Sequence, residues 1–381
     1  MRILFTSIRA TGHLTPLVPY AQAFQRHGHD VRVAAADGLT EAIEATGLSP
    51  APFGHPGDEE QARIIASDPE PDKMTGFVLR ELFVGALPRA ALPKLRETVR
   101  DWRPDLIVRE ASEYAAVIAA EEAGIPHVRV SVSNGHTFRN AIAPFDDLRI
   151  EQGLPPDGGA SLRNAPAFSA FPASLEESGG DGGASPQIRV RLPRETAPRD
   201  APRPDWLPEG DAPFVYMTFG TVLGASDRAR ATFRAALDAV ADMPVRALMT
   251  TGPSMDVGAL GEVPANLRLE AWIPQDLVLA RASAMVCHGG SGTSIGGLAA
   301  GVPMVVTPVG ADQPENARRI AAVGAGIAVT DRDPAEIRTA IERALTDPAI
   351  RDAAGRLAAE IAATPDVDAA VATMIGFARA A

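Results

Sequence analysis

A unit of strand, loop, helix and strand recurs along this chain, and it constrains the fold more than any other feature. The first copy runs from a strand at 2–7, through a helix that Pro16 opens, to a strand at 31–36. Further copies lie at 105–133 and 214–252. Strands joined by helices pair in parallel, with the helices on the sheet faces, so the alternation predicts an α/β fold with parallel sheets.

Chain length and a change in composition predict two domains. A chain of 381 residues exceeds the size at which one hydrophobic core usually stops growing. Glycine, proline and arginine accumulate between about 145 and 211, and the turn-rich segment SGGDGGASPQ lies at 178–187. The expected first domain, with its linker, is 1–205, and the second is 206–364.

Charge and apolar patterning argue against several classes of protein. The formal charge of -12 disfavours nucleic acids and anionic membranes as partners, because both are polyanions. The apolar run at the N-terminus is too short for a signal peptide, and no run of about 18 apolar residues indicates an integral membrane segment. The only cysteine, Cys287, cannot form an internal disulfide. We therefore expect a cytoplasmic protein.

A glycine-rich loop at 288–293 lies between a strand and a helix. Gly289 and Gly290 allow a tight turn and close approach to a ligand, and Ser291 presents its amide and hydroxyl where the helix begins. This arrangement favours a diphosphate, for which His288 would be a further donor. The alternative is a plain turn with Ser291 as helix cap. Neither the GxGxxG nor the GK[ST] phosphate motif is present.

Two flanking segments carry further candidates for ligand binding. Asp312 and Gln313 follow the next strand and suit sugar hydroxyls, although these two residues taken alone favour a helix start capped by Asp312. Trp272 offers an indole for stacking on a heterocycle, although tryptophan is more often a core residue.

His13 is the candidate general base, because it follows the first strand in a loop with Gly12 and its ordinary pKa of about 6.5 suits proton abstraction. Its acidic partner is expected to be Glu110, at the end of the strand DLIVRE. Glu113 competes for that role, and Glu110 as a helix cap is the alternative. His27 and His29, after the first helix, are interpreted as solvent-exposed or helix C-cap residues.

Two aspartate triplets resemble metal-binding DxD motifs, but we interpret both as helix-associated. They are Asp331-Arg332-Asp333, which precedes Pro334, and Asp366-Val367-Asp368, in a late helical stretch. No cluster has the spacing of metal ligands, so neither a metal nor another cofactor is expected. His288 and the helix N-terminus would take the place of a divalent ion.

The ordered motifs WIPQ, HGGSGT and ADQPENA resemble the donor-binding signature of nucleotide-sugar-dependent glycosyltransferases of the GT-B fold. The resemblance is to the bacterial natural-product branch related to the UDP-glycosyltransferases. It covers nearly the whole chain, because MRILFTSIRATGHLTPLVPYA, IRVRLP, PDWLP and MTFGT are also similar to that family.

The resemblance implies two Rossmann-like doubly wound domains that face each other across a cleft, with the acceptor bound by the first and the donor by the second. It implies that a C-terminal helix at 365–381 crosses back to the first domain. The implied donor contacts are Trp272, Ile273 and Gln275 for the base and ribose; Thr221, His288, Gly289, Gly290, Ser291, Gly292 and Thr293 for the diphosphate; and Asp312 and Gln313 for the sugar.

The expected activity is metal-independent, inverting transfer of a (deoxy)hexose from a dTDP- or UDP-sugar to a hydroxyl of a small apolar aglycone in antibiotic biosynthesis. Residues expected to line the acceptor site are Phe53, Phe77, Phe83, Asn134, Phe138 and Phe145. A sugar-nucleotide epimerase and a catalytically inactive auxiliary protein of the same fold are the alternatives. The resemblance leaves open whether a homodimer or an activator protein is needed.

Overall fold

A computed structural model describes residues 1–69, 76–132, 136–176, 187–194, 204–220, 227–252 and 255–380, without the side chains of 136–139 and 227–229. The chain forms two compact units. Unit 1 consists of Met1–Ala170, Glu177–Pro193 and Thr364–Ala381, and unit 2 of Phe171–Glu176 and Arg194–Ala363. The division after Pro193 precedes the boundary at 205/206 that composition suggested, and a short piece of the first half belongs to unit 2.

Unit 1 is built on a parallel sheet with seven strands in the described part of the chain. Its spatial order is β3 (Ser49–Pro50), β2 (Asp30–Ala35), β1 (Arg2–Ser7), β4 (Leu106–Glu110), β5 (His127–Ser131), β6 (Ala167–Ser169) and β7 (Gln187–Arg189). The central pair, β1 and β4, aligns Thr6 with Arg109. Their carboxyl ends therefore lie side by side.

Helices cover both faces of this sheet. The helices of unit 1 are α1 (Thr11–Leu14), α2 (Val18–Arg26), α3 (Thr40–Glu44), α4 (Asp58–Ala66), α5 (Gly76–Val78), α6 (Leu87–Trp102), α7 (Ala115–Ala123), α8 (His136–Glu151), α9 (Ala160–Arg163) and the last helix of the chain, α16 (Val367–Ala380). A π-helical segment spans Leu79–Ala86. One face packs against α2 and α16, and the other against α6 and α7. The C-terminal helix α16 thus belongs to unit 1.

Unit 2 repeats this plan with a six-stranded parallel sheet in its described residues. The spatial order is β10 (Leu267–Glu270), β9 (Arg246–Thr250), β8 (Phe214–Thr218), β11 (Ala284–Cys287), β12 (Met304–Val306) and β13 (Gly326–Ala328). The helices are α10 (Asp227–Val240), α11 (Gln275–Leu279), α12 (Ser291–Ala300), α13 (Gln313–Ala322), α14 (Pro334–Thr346) and α15 (Pro348–Ala362). Both sheets therefore have the predicted α/β architecture.

The central strands of both sheets are buried on both faces, which is why they read in the sequence as nearly continuous apolar runs. In β11 all four residues are buried, including Cys287, whose thiol is free. Over the described ranges, no helix combines the length and the apolar character that crossing a membrane requires.

Candidate functional site

One candidate region lies at the carboxyl ends of β1 and β4 in unit 1. The chain leaves β1 through Ile8–Ala10 and forms α1, which carries His13. The Nδ1 atom of His13 lies 3.1 Å from Oε2 of Glu110, the last residue of β4. The Glu110 side chain is fully buried, whereas that of His13 is 25% exposed. The imidazole therefore has a carboxylate at one nitrogen and is accessible from outside.

The structure distinguishes the roles of the two glutamates that were both candidates for the acidic partner of His13. Glu110 accepts a hydrogen bond from the Ser112 amide (2.6 Å) and contacts His13. Glu113 accepts from the amides of Ala115 (2.9 Å) and Ala116 (3.0 Å) in the first turn of α7. Burial raises the pKa of Glu113 to about 7. Glu113 is thus the carboxylate at the helix start, and Glu110 is the histidine partner.

A recess that opens to solvent lies in unit 1 and is lined by both apolar and polar groups. The lining residues are Ile8, Arg9, Phe53, Gly54, His55, Phe83, Leu87, Pro88, Ala91, Ser112, Glu113 and Tyr114. Phe83 belongs to the π-helical segment, and its ring centroid lies 6.4 Å from that of His13. Segments of π-helix occur frequently at functional sites. Phe83 therefore links the recess to the candidate base.

The other residues predicted for the acceptor site do not all reach this recess. Phe145 is fully buried in the core, where its ring packs against Tyr114, so its predicted acceptor contact is replaced by a core role. Phe77 is partly buried and does not line the recess. Asn134 and the side chain of Phe138 lie outside the described residues. The presence of several aromatic residues in one stretch of sequence does not show which of them face a pocket.

A separate candidate region lies in unit 2, where β11 leads into α12. Gly289 has φ +84°, and a Cβ there would lie 2.6 Å from Val306 Cγ1, so only glycine fits without a shift. Gly290 precedes α12, and Ser291 begins it. The amides at this helix N-terminus have the orientation that binds anions. The predicted glycine-rich turn into a helix N-terminus is present.

His288 is held tightly by the glycines around it. A Cβ at Gly220 would lie 2.9 Å from His288 Nε2, and one at Gly290 would overlap the same atom. Burial lowers the pKa of His288 to about 4, although the Asp312 carboxylate and the Thr218 carbonyl act in the opposite direction. At neutral pH, His288 is therefore an uncharged hydrogen-bonding group rather than a cation.

A hydrogen-bonded network joins the loops that follow β11 and β12. Ser291 Oγ donates to Asp312 Oδ2 (2.5 Å), and Asn316 Nδ2 donates to Asp312 Oδ2 (3.0 Å) and to the Gly289 carbonyl (2.8 Å). Asp312 precedes α13, but its side chain makes no capping bond to that helix. Sequence reasoning missed the role of Asn316, although ADQPENA contains it. The signal available in the sequence was the spacing of Asp312 and Asn316, which are four residues apart at a predicted helix start and therefore lie on one side of it.

Gln313 is 5% exposed and serves its own loop. Its Oε1 accepts hydrogen bonds from the amides of Val309 (2.8 Å) and Gly310 (3.0 Å). Its Nε2 makes no hydrogen bond within the described ranges, so this nitrogen is the group left for the predicted sugar contact.

The residues predicted for the base and ribose differ in exposure. Trp272 is 65% exposed, which makes its indole available for stacking. Ile273 is buried in the core of unit 2, so its side chain does not present a surface to a ligand. Gln275 begins α11, and its Nε2 lies 3.5 Å from the carbonyl of Thr293 on α12. Thr221 lies outside the described residues.

The aspartate triplets have structural partners. Asp333 accepts from the Ala335 amide (3.1 Å) at the start of α14, and Asp366 accepts from the Ala369 amide (3.0 Å). Asp368 pairs with Arg26 and His27 on the unit 1 surface. In the part of the chain that the structure describes, no group of three or more His, Cys, Asp or Glu side chains is placed to hold a metal ion.

Comparison with known proteins gives matches to both halves of the chain. The model for the N-terminal domain of erythromycin biosynthesis protein CIII-like proteins matches residues 22–157, and that for the C-terminal domain matches 234–376. The chain is 32% identical to tylactone mycaminosyltransferase of Streptomyces fradiae, with 96% of this chain and 90% of that protein covered. It is 34% identical to L-demethylnoviosyl transferase of Streptomyces niveus, with 96% and 95% covered.

Solved structures agree with these matches. The glycosyltransferase SnogD from Streptomyces nogalater has a TM-score of 0.79 at 26% identity, with 99% of both chains covered. The glycosyltransferase VinC, in a crystal structure with dTDP, has a TM-score of 0.78 at 25% identity, with 100% of both chains covered. The predicted GT-B fold and glycosyltransferase class are confirmed, and the chain belongs to the erythromycin biosynthesis protein CIII-like family of glycosyltransferases.

Proposed function

We propose that this enzyme transfers a deoxyhexose from a dTDP- or UDP-sugar to a hydroxyl group of a small apolar aglycone in antibiotic biosynthesis, with inversion at the anomeric carbon. The observation that carries the proposal is the 3.1 Å contact between His13 Nδ1 and Glu110 Oε2. A carboxylate at Nδ1 orients the ring and stabilises the imidazolium, while Nε2 is the nitrogen that takes the proton. The recess beside Phe83 supports an apolar acceptor.

The reaction is a single displacement. His13 removes the proton of the acceptor hydroxyl as its oxygen forms a bond to the anomeric carbon. The bond from that carbon to the diphosphate oxygen breaks, and the nucleoside diphosphate leaves with the electron pair. Attack and departure on opposite faces invert the configuration, and no enzyme nucleophile is required.

The donor diphosphate is assigned to the N-terminus of α12. Its amides and the His288 imidazole stabilise the charge that develops on the leaving group. The ligand of VinC and the names of the mycaminosyl and demethylnoviosyl transferases support a dTDP-deoxysugar. A cytoplasmic location fits a chain whose single cysteine is a buried thiol.

The proposal is tested by incubating the enzyme with dTDP- and UDP-sugars, with and without a panel of polyketide and aromatic aglycones. Mass spectrometry would identify a glycosylated product, and NMR coupling constants would give its anomeric configuration. Donor isomerisation without an acceptor would favour an epimerase. No donor turnover with any acceptor would favour an inactive auxiliary protein, and retained configuration would contradict the single displacement.

Transfer is expected to continue in excess EDTA with little loss of rate. The reason is that His288 and the α12 amides, rather than a divalent ion, face the leaving diphosphate in this proposal. Initial rates with EDTA, and with EDTA followed by magnesium, provide the check. Loss of activity that magnesium restores would contradict the metal-free mechanism.

Asp312→Asn is expected to weaken binding of the nucleotide sugar by about 10-fold, because a charged acceptor holds a sugar hydroxyl more strongly than an amide does. Asparagine keeps an oxygen for Ser291 and Asn316, so the loop should persist. Nucleoside diphosphate alone should bind equally or more tightly, because one nearby negative charge is removed. Calorimetry with both ligands measures the ratio.

The matched control for this variant is Asp331→Asn, which changes a surface aspartate that contacts Thr330. It should leave both affinities unchanged. An equal loss for nucleotide and nucleotide sugar in Asp312→Asn would place Asp312 outside the sugar subsite.

A further inference from the structure

Arg109 is a fully buried arginine on β4, next to Glu110 in sequence. Its Nη1 donates to the carbonyl oxygens of Glu110 (3.3 Å) and Ala111 (3.1 Å). Both bonds go to the backbone of the turn that follows the strand. Both hydrogen bonds from the Arg109 side chain to this turn therefore come from a single nitrogen.

The same turn sets the position of the Glu110 carboxylate. Its Oε2 accepts from the Ser112 amide (2.6 Å) and lies 3.1 Å from His13 Nδ1. The Glu110 carbonyl also accepts from the Glu113 amide (3.3 Å). A change in the backbone at 110–112 would consequently move the carboxylate relative to the imidazole.

Stability alone is a poor explanation for a charge at this place. Nε and Nη2 of Arg109 have no hydrogen-bond partner within the ranges that the structure describes. Arg129 is aligned with it on β5 and disfavours its charge, whereas the nearby Tyr114, Glu113 and Glu110 act in the opposite direction. Burial, followed by Arg129, lowers the pKa of Arg109 to about 10, so the side chain stays charged at neutral pH. A buried charge with incomplete partners is destabilising.

We propose that Arg109 is a positioning residue, which holds the 110–112 turn so that the Glu110 carboxylate faces His13. This inference rests on the proposed function, in which His13 is the general base and Glu110 its partner. It assigns to a buried arginine a contribution to turnover that is transmitted through Glu110.

Arg109→Met and Arg109→Lys test the inference. Methionine has a similar length but no donor, so kcat should fall about 10-fold, as expected for a small displacement of a catalytic group, with KM for both substrates little changed. Thermal stability should be unchanged or higher, because a buried charge is removed. Lysine should retain most of the activity, because both backbone bonds come from one nitrogen.

A double-mutant cycle with Glu110→Gln separates positioning from general damage. If Arg109 acts through Glu110, then Arg109→Met should reduce kcat little further once Glu110 is glutamine. The control is Arg149→Gln, which removes another buried arginine of unit 1, bonded to Glu121 and to the Pro155 carbonyl. It should lower thermal stability, and any loss of kcat should multiply with that of Glu110→Gln.

The positioning role would be overturned if the losses of kcat in Arg109→Met and Glu110→Gln multiply in the double variant. Wild-type kcat in Arg109→Met would overturn it as well. If Arg109→Met does not fold, Arg109→Lys tests the role instead. A loss of kcat in Arg109→Lys that multiplies with the loss in Glu110→Gln would also overturn the positioning role. Wild-type turnover by His13→Ala would instead reject the proposed base, and the inference with it. If His13→Ala is inactive but the losses of kcat in the double-mutant cycle multiply, only the role of Arg109 would be rejected.

Discussion

Replacing His13 by alanine should lower the rate of transfer by about 100 to 10,000-fold, the usual contribution of general base catalysis. An alkyl hydroxyl is a weak nucleophile at neutral pH, so its proton must be removed as the new bond forms. Affinity for the nucleotide sugar should change little, because the donor contacts are assigned to residues of unit 2. Single-turnover rates and donor calorimetry on the same preparation measure the two quantities.

Two variants make this result specific. Glu110→Gln should give a smaller loss than His13→Ala, because the imidazole remains and only its orienting charge is lost. His27→Ala changes an exposed histidine that pairs with Asp368 and should leave turnover unchanged. Near wild-type transfer to a hydroxyl acceptor by His13→Ala would show that another group is the base.

Gly290→Ala should lower kcat/KM by about 100-fold by displacing His288. The backbone of Gly290, with φ −60° and ψ 145°, is one that alanine adopts without strain. The added Cβ would overlap His288 Nε2, so the imidazole must move away from the start of α12. The variant therefore tests the position of the histidine rather than the flexibility of the glycine.

Gly292→Ala is the matched control for stability, because a Cβ there meets nothing within 4 Å. It should keep the wild-type melting temperature. Gly290→Ala should also cause little further loss of activity in a His288→Ala background, since both changes remove the same group. Wild-type kcat/KM in Gly290→Ala would exclude His288 from the leaving-group step.

The His13–Glu110 pair shows how far residue spacing leads. His13 follows β1 and Glu110 ends β4, which places both side chains at the same edge of a parallel sheet. Whether Glu110 or Glu113 would meet the histidine depended on the turn between β4 and α7, and the structure shows Glu113 bonded to the helix amides instead. The direction of a side chain in such a turn is set by hydrogen bonds that spacing does not encode.

Residues that sequence reasoning misplaced are those whose surroundings come from distant segments. Phe53 and Phe145 are both buried, but only Phe53 lines the recess, because Phe145 packs against Tyr114. The predicted boundary between the units lay later in the chain than the observed one, because composition indicates turn-rich sequence rather than contacts between residues. In the same way, Arg109 reads as a polar interruption of a strand until its bonds to the following turn are known.

Motifs and periodicity along the chain were enough to predict the class of fold, the family and the positions of the two candidate loops, because alternating strands and helices and glycine-rich turns are local patterns. The folded structure was needed to show which groups are in contact: Glu110 with His13, Asp312 with Ser291 and Asn316, and His288 with Gly220 and Gly290. Strands that are neighbours in a sheet bring together residues far apart in the chain, and burial there changes their charge, as it does for His288.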